Sequence, residues 1–196
     1  MTGLGWMYGK DLPLVSLTFA RDLAAPQLLG RMGADPATLT VRDQDDFHDE
    51  FEDRLDDMDA YLVTAGRCGN WAWAWEHASW RCVEGTELIS DVSQGTAAVV
   101  LHFDGNGRAE FWYAENGHLL TGFNSETSLR LEDRFGVEPL RFDPELRVYG
   151  AIPEANDYGP LGSRALFLRI AEGLGIGLPH GDLFTEPVLS AQLTSR

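Results

Sequence analysis

Between residues 71 and 75 the chain reads Trp-Ala-Trp-Ala-Trp, alternating the largest side chain with one of the smallest. A period of two sends successive side chains to opposite sides of an extended backbone. Trp71, Trp73 and Trp75 therefore share one side and Ala72 and Ala74 the other, which no helix would do. Segment 70–76 is predicted to be a strand whose indoles form either the buried side of a sheet or an exposed stacking platform. Burial is the expected outcome, because three exposed indoles in a row would put a large apolar patch on a monomer.

The rest of the chain supplies partners for that strand. Val15, Leu17 and Phe19 alternate with small or polar neighbours and read as a half-buried strand, and Ala60–Thr64 reads as another. Residues 97–124 read as a three-stranded antiparallel meander, with Asn106-Gly107 and Asn116-Gly117 as two-residue hairpin turns. A short helix opens at Pro26 and closes at Gly33. Phe47, Phe51, Leu55 and Met58 recur at helical spacing and predict an acidic amphipathic helix over about 45–59. Further helices are expected at Glu87–Gln94 and at about 160–173. Residues 125–158 read as irregular connection apart from a short element at Pro144–Val148. The expected fold is a single α+β domain spanning 1–196, an antiparallel sheet of about five strands with helices packed on one face.

Three of these features carry a resemblance: Leu17-Thr18-Phe19-Ala20-Arg21 ahead of a short helix ending in Gly33-Ala34, the Trp71–Glu76 strand, and the meander containing Trp112. Over roughly residues 12–125 the chain resembles a bacterial family of unknown function common in actinobacteria, with the acidic helix as an elaboration. The resemblance implies a fold and a bacterial source and carries no activity.

Charge narrows the choice of partner. The chain has 31 acids against 15 bases, a formal net charge of -16, which repels nucleic acid and anionic membranes. Residues 42–59 hold Asp43, Asp45, Asp46, Asp49, Glu50, Glu52, Asp53, Asp56, Asp57 and Asp59 against only Arg42 and Arg54. Helix capping explains acids in a first turn, but Asp56, Asp57 and Asp59 fall at the end where the dipole opposes them. Asp45, Asp46, Asp49, Glu50, Asp53, Asp56 and Asp57 are the candidate docking residues for a basic protein, as in inhibitors that mimic nucleic acid; the competing reading is an idle solvated face.

Chemistry is harder to find. Cys68 and Cys82 are the only cysteines, without metal or disulfide spacing. With two-residue turns, His102 pairs with Phe111 and His118 with Glu115, placing both imidazoles on one face about 16 Å apart, too far to share an ion. Gly173-Leu174-Gly175-Ile176-Gly177 follows a helix rather than a strand, so it reads as helix termination and not as a dinucleotide turn. Lys10 and Asp11 interrupt the place of a signal-peptide core, and no stretch of about 18 apolar residues occurs, so the expected location is the cytoplasm. The leading expectation is a non-catalytic, immunity- or inhibitor-type interaction protein without cofactor or metal. The alternative is a small-molecule binder or enzyme with an aromatic pocket at Trp71, Trp73, Trp75, Trp80, Trp112 and Tyr113, beside a polar meander face of His102, Tyr113 and His118. A structural subunit is the third reading.

Overall fold

The Trp-rich strand lies near the middle of one large sheet. The computed structural model describes residues 3–8, 12, 14–55, 57, 59–180 and 186–194; Lys10, Asp11, Asp56 and Met58 fall outside them. Strands β1 (Leu14–Arg21), β2 (Thr40–Arg42), β3 (Leu62–Cys68), β4 (Trp71–His77), β5 (Ala97–Asp104), β6 (Ala109–Glu115), β7 (His118–Asn124) and β8 (Val188–Gln192) form a single sheet in the order β2-β8-β3-β4-β1-β5-β6-β7. Every pairing is antiparallel. The expectation of about five strands is corrected to eight. The additions β2 and β8 are short and pair Arg42 with Val188, a contact too distant along the chain for local pattern to reveal.

Helices α1 (Ala25–Met32), α2 (Gln44–Phe51), α3 (Glu87–Val92), α4 (Asp143–Val148) and α5 (Gly162–Gly173) cover both faces of the sheet, not one. On the first face Val15, Leu17, Phe19, Trp71 and Trp73 pack with Phe111, Phe123, Phe142 and Phe167. On the second, Ala20, Ala72, Ala74, Ala98 and Ala114 make a shallow floor. It receives Leu28, Leu29 and Met32 of α1 and Leu88, Ile89 and Val92 of α3. β1 is consequently buried on both sides, and the small residues Ser16, Thr18 and Ala20 that suggested a solvent face lie at 0% exposure. Small side chains between apolar ones here mark close helix approach rather than water.

Two local departures affect the site. The acidic helix ends at Phe51, continuing only as a 3-10 turn over Glu52–Arg54, not to residue 59. Asp is a poor helix former, and Asp49–Asp53, Glu52–Asp56 and Asp53–Asp57 would repel at i,i+4. Asp57 and Asp59 therefore lie beyond the helix, and the dipole argument does not reach them. In the meander, Phe103 pairs with Ala109 and His102 with Glu110, because the Asp104 carboxylate accepts from the amides of Asn106 and Arg108, both at 2.9 Å, and widens the turn. The second turn keeps its two residues, with Glu115 opposite His118. A one-residue slip turns a strand over, so His102 and His118 occupy opposite faces.

Residues 125–158 are irregular but organised, with α4 where a short element was expected. The buried Arg134 guanidinium donates to Leu129 O at 2.6 Å and Pro139 O at 2.9 Å. It also pairs with Asp143 and lies over the Phe123 ring at 5.2 Å. Among the described residues no helix is long and apolar enough to cross a membrane.

Candidate functional site

α2 is anchored from beneath and charged above. Asp43 caps its N-terminus by accepting from Asp46 N at 2.8 Å. Phe47 and Phe51 are buried against Leu62 and Ala60. Arg42 grips the helix by donating from Nε to Glu50 Oε2 at 2.6 Å and from Nη2 to Glu50 Oε1 at 2.8 Å. Its third nitrogen donates to Ser190 Oγ at 2.8 Å, and the guanidinium lies 5.2 Å from the Phe51 ring centre. These hydrogen bonds hold the Glu50 carboxyl below its usual range. Arg54 reaches Gln192 Oε1 on β8 at 3.3 Å. Both bases of the segment are thus drawn to the sheet edge.

The acids are not. Asp43, Asp45, Asp46, Asp49, Glu52, Asp53, Asp57 and Asp59 are all exposed, and among the described residues none of them forms an ion pair. Of the expected docking residues, Glu50 is committed to Arg42 and Asp56 lies outside the described residues. Elsewhere acids find arginines: Glu110 pairs with Arg108, Asp143 with Arg134, Glu115 and Glu138 with Arg141, and Glu154 with Arg147.

The proposed aromatic pocket is not assembled. Trp71 and Trp73 are buried in the first-face core, Trp71 donating to Leu174 O at 3.2 Å, with Trp75 packed at the margin of that core. Trp112 lies on the second face, edge-on to Phe135 at 5.4 Å, and Trp80 is 41% exposed. Tyr113 belongs to the first face, donating to Glu115 beneath Arg141. Alternation along β6 separates Trp112 from Tyr113, so no single surface gathers the set, and the His102–Tyr113–His118 face is broken in the same way.

A row of polar residues that sequence reasoning missed crosses the second face. Register places Glu76, Ser16, His102, Glu110 and Asn124 side by side on β4, β1, β5, β6 and β7. The signal was present, as a polar residue at an alternate position of each apolar strand, but only the register aligns them. Ser16 Oγ lies 2.5 Å from Ser79 O and 3.0 Å from His102 Nδ1. A carbonyl only accepts, so Ser16 donates to Ser79 and receives the Nδ1 proton of His102. His102 therefore cannot act as a base toward Ser16.

Cys82, which bonds to Glu76 beside the row, and the row's own titratable groups are equally quiet. Burial pushes the Cys82 thiol far above its ordinary range, with the Glu76 charge adding to it, the reverse of an activated nucleophile. Burial lifts Glu76 to about 7 against hydrogen bonds from Ser79 and Cys82, and it holds His102 down to about 4. Ser16, Glu76, His102 and Glu110 are all at 2% exposure or less, so these four groups of the row are closed to solvent. Among the described residues no group of three His, Cys, Asp or Glu side chains is placed to hold a metal ion.

One cavity opens directly beside α2, with a volume of about 210 Å³. Phe47 and His77 meet there at 4.9 Å between ring centres, and His77 Nε2 lies 3.1 Å from Thr64 Oγ1. Burial holds the His77 imidazole down to about 4, so it is neutral at pH 7. Leu55 and Val188 add apolar wall, and Asp43, His48 and Glu186 add polar groups.

Comparison with curated proteins and with solved structures yields no match. A family model matches residues 14–158, a span that holds the Trp-rich strand, the meander, the acidic segment and the polar row, and that stops short of α5 and β8. Since this is well over half of the 196 residues, the chain belongs to the family of unknown function DUF6461.

Proposed function

We propose that this protein is a non-catalytic interaction module of the immunity or inhibitor kind, acting in the bacterial cytoplasm and docking a basic protein through α2 and the turn that follows it. The observation that carries this reading is the sorting of charge in residues 42–59. Both arginines bond inward to the sheet edge while eight described carboxylates face solvent without ion pairs. Surface acids that are idle need no such arrangement, and Arg42 or Arg54 turned outward would neutralise part of the patch. Like-charge repulsion within the segment costs stability that a cationic partner would return as attraction and a faster encounter.

The aromatic-pocket alternative has no gathered site to support it, and the polar row has no activated nucleophile. The test is capture of partners from a lysate of the source organism by the tagged protein at low salt, with elution on a salt gradient and identification by mass spectrometry. The variant Asp45→Asn, Asp46→Asn, Asp49→Asn, Asp53→Asn is run in parallel. A stoichiometric basic protein held by the wild type and lost from the variant supports docking. Capture unchanged by the variant, or no basic protein at all, refutes it.

A further inference from the structure

The cavity beside α2 combines an apolar wall with a negative edge. Phe47, Leu55 and Val188 line it, and His77 presents a neutral ring. Asp43 and Glu186 are exposed carboxylates at the same cavity, and among the described residues neither Lys nor Arg lines it. At about 210 Å³ it falls below the roughly 300–1,000 Å³ of cofactor and drug-sized sites and suits a single long side chain. An anion would meet Asp43, Glu186 and the field of the acidic segment. A neutral apolar group would gain nothing from the carboxylates.

A long basic side chain satisfies both halves. Its methylene stem can lie along Phe47, Leu55 and Val188 while its head meets the carboxylates. Between the two basic residues the flat rings favour arginine, whose guanidinium stacks on aromatic faces and bonds carboxylates in a fork, as an ammonium does not. We propose that this cavity is a receptor for an alkyl-guanidinium group, filled in function by an arginine of the basic partner. The identity of the bearer rests on the docking reading; the preference of the cavity for the group rests on its own lining.

The test uses the full chain, labelled with nitrogen-15 and titrated with Nα-acetyl-arginine methylamide. The citrulline analogue, equal in shape and without charge, is the control. Saturable shifts at the amides of Phe47, Thr64 and His77 are expected from the arginine derivative, with the citrulline analogue at least about tenfold weaker. Val188→Phe, which fills the cavity, should abolish the response. Glu186→Gln, at an exposed position, should weaken it severalfold while the thermal melt stays that of the wild type. No saturable shift, equal response to the two probes, or unaltered binding by Glu186→Gln overturns the proposal. Absent arginine binding with salt-sensitive partner capture intact would remove the cavity and leave the docking surface standing. Saturable arginine binding with no basic partner would keep the guanidinium site and overturn its bearer.

Discussion

Glu76 sits on a central strand at 1% exposure, and burial lifts its carboxyl to about 7. Its folded value exceeds its unfolded one, so its contribution is fully present below about pH 4.5 and is lost as pH rises through 7. His77 and His102, held down to about 4 by burial, act in the opposite sense, adding stability as pH rises from about 4 to 6.5. Replacing Glu76 by Gln keeps an acceptor for Ser79 and removes the buried charge. Denaturant unfolding should show the variant more stable than wild type at pH 8, by on the order of 1–3 kcal/mol, and nearly equal to it at pH 4. A variant less stable than wild type at pH 8 would mean that the ionised carboxylate is a net stabiliser. Gly66 makes a second residue-level case, since it lies opposite Trp73 on the neighbouring strand and a Cβ there would stand 2.6 Å from Cζ2 of the indole. Gly66→Ala should cost about 1–3 kcal/mol, and less in a Trp73→Leu background, a coupling that a double-mutant cycle measures.

At the scale of elements, α2 is where charge and helix stability conflict most openly. Asp49 lies in its last turn, where the dipole disfavours an acid, and Asp53 follows in the adjoining 3-10 turn, adding a like charge nearby in the chain. Asp49→Asn with Asp53→Asn should therefore raise stability by about 0.3–1 kcal/mol in thermal or denaturant melts, while weakening partner capture. A melt that shows destabilisation would place these acids in the folding of the segment rather than on a functional surface. Like-charge repulsion explains why the helix read over 45–59 stops at Phe51: the apolar spacing of Phe47, Phe51, Leu55 and Met58 is legible in the sequence, whereas the point at which repulsion among the intervening acids outweighs it is not. Other elements were legible where local pattern suffices, as in β1, β4, α1 ending at Gly33 and the Asn116-Gly117 turn. What failed to show depends on pairing at a distance. β8 reaches back to Arg42, and the face of His102 turned on whether Asp104 bonds two amides of the following turn. The polar row and the separation of Trp112 from the Trp71–Trp73 face are consequences of register, which a strand's own residues do not state.

Across the whole molecule, negative charge is unevenly compensated. Outside 42–59, Arg108, Arg134, Arg141, Arg147 and Arg169 form ion pairs, all within residues 108–172, whereas the face carrying α2 keeps its carboxylates open to solvent. Such a face projects a field that salt screens over about 8 Å at physiological strength, so docking through it must depend on ionic strength, and a purely apolar interface would not. The decisive measurement is calorimetric affinity for the purified captured partner between about 50 and 200 mM NaCl, for wild type and for the Asp45, Asp46, Asp49, Asp53 to Asn variant. Wild-type Kd is expected to rise on the order of tenfold across that range, and the variant to bind more weakly with a much flatter dependence. Equal affinity and equal salt dependence for the two proteins would contradict docking through this face.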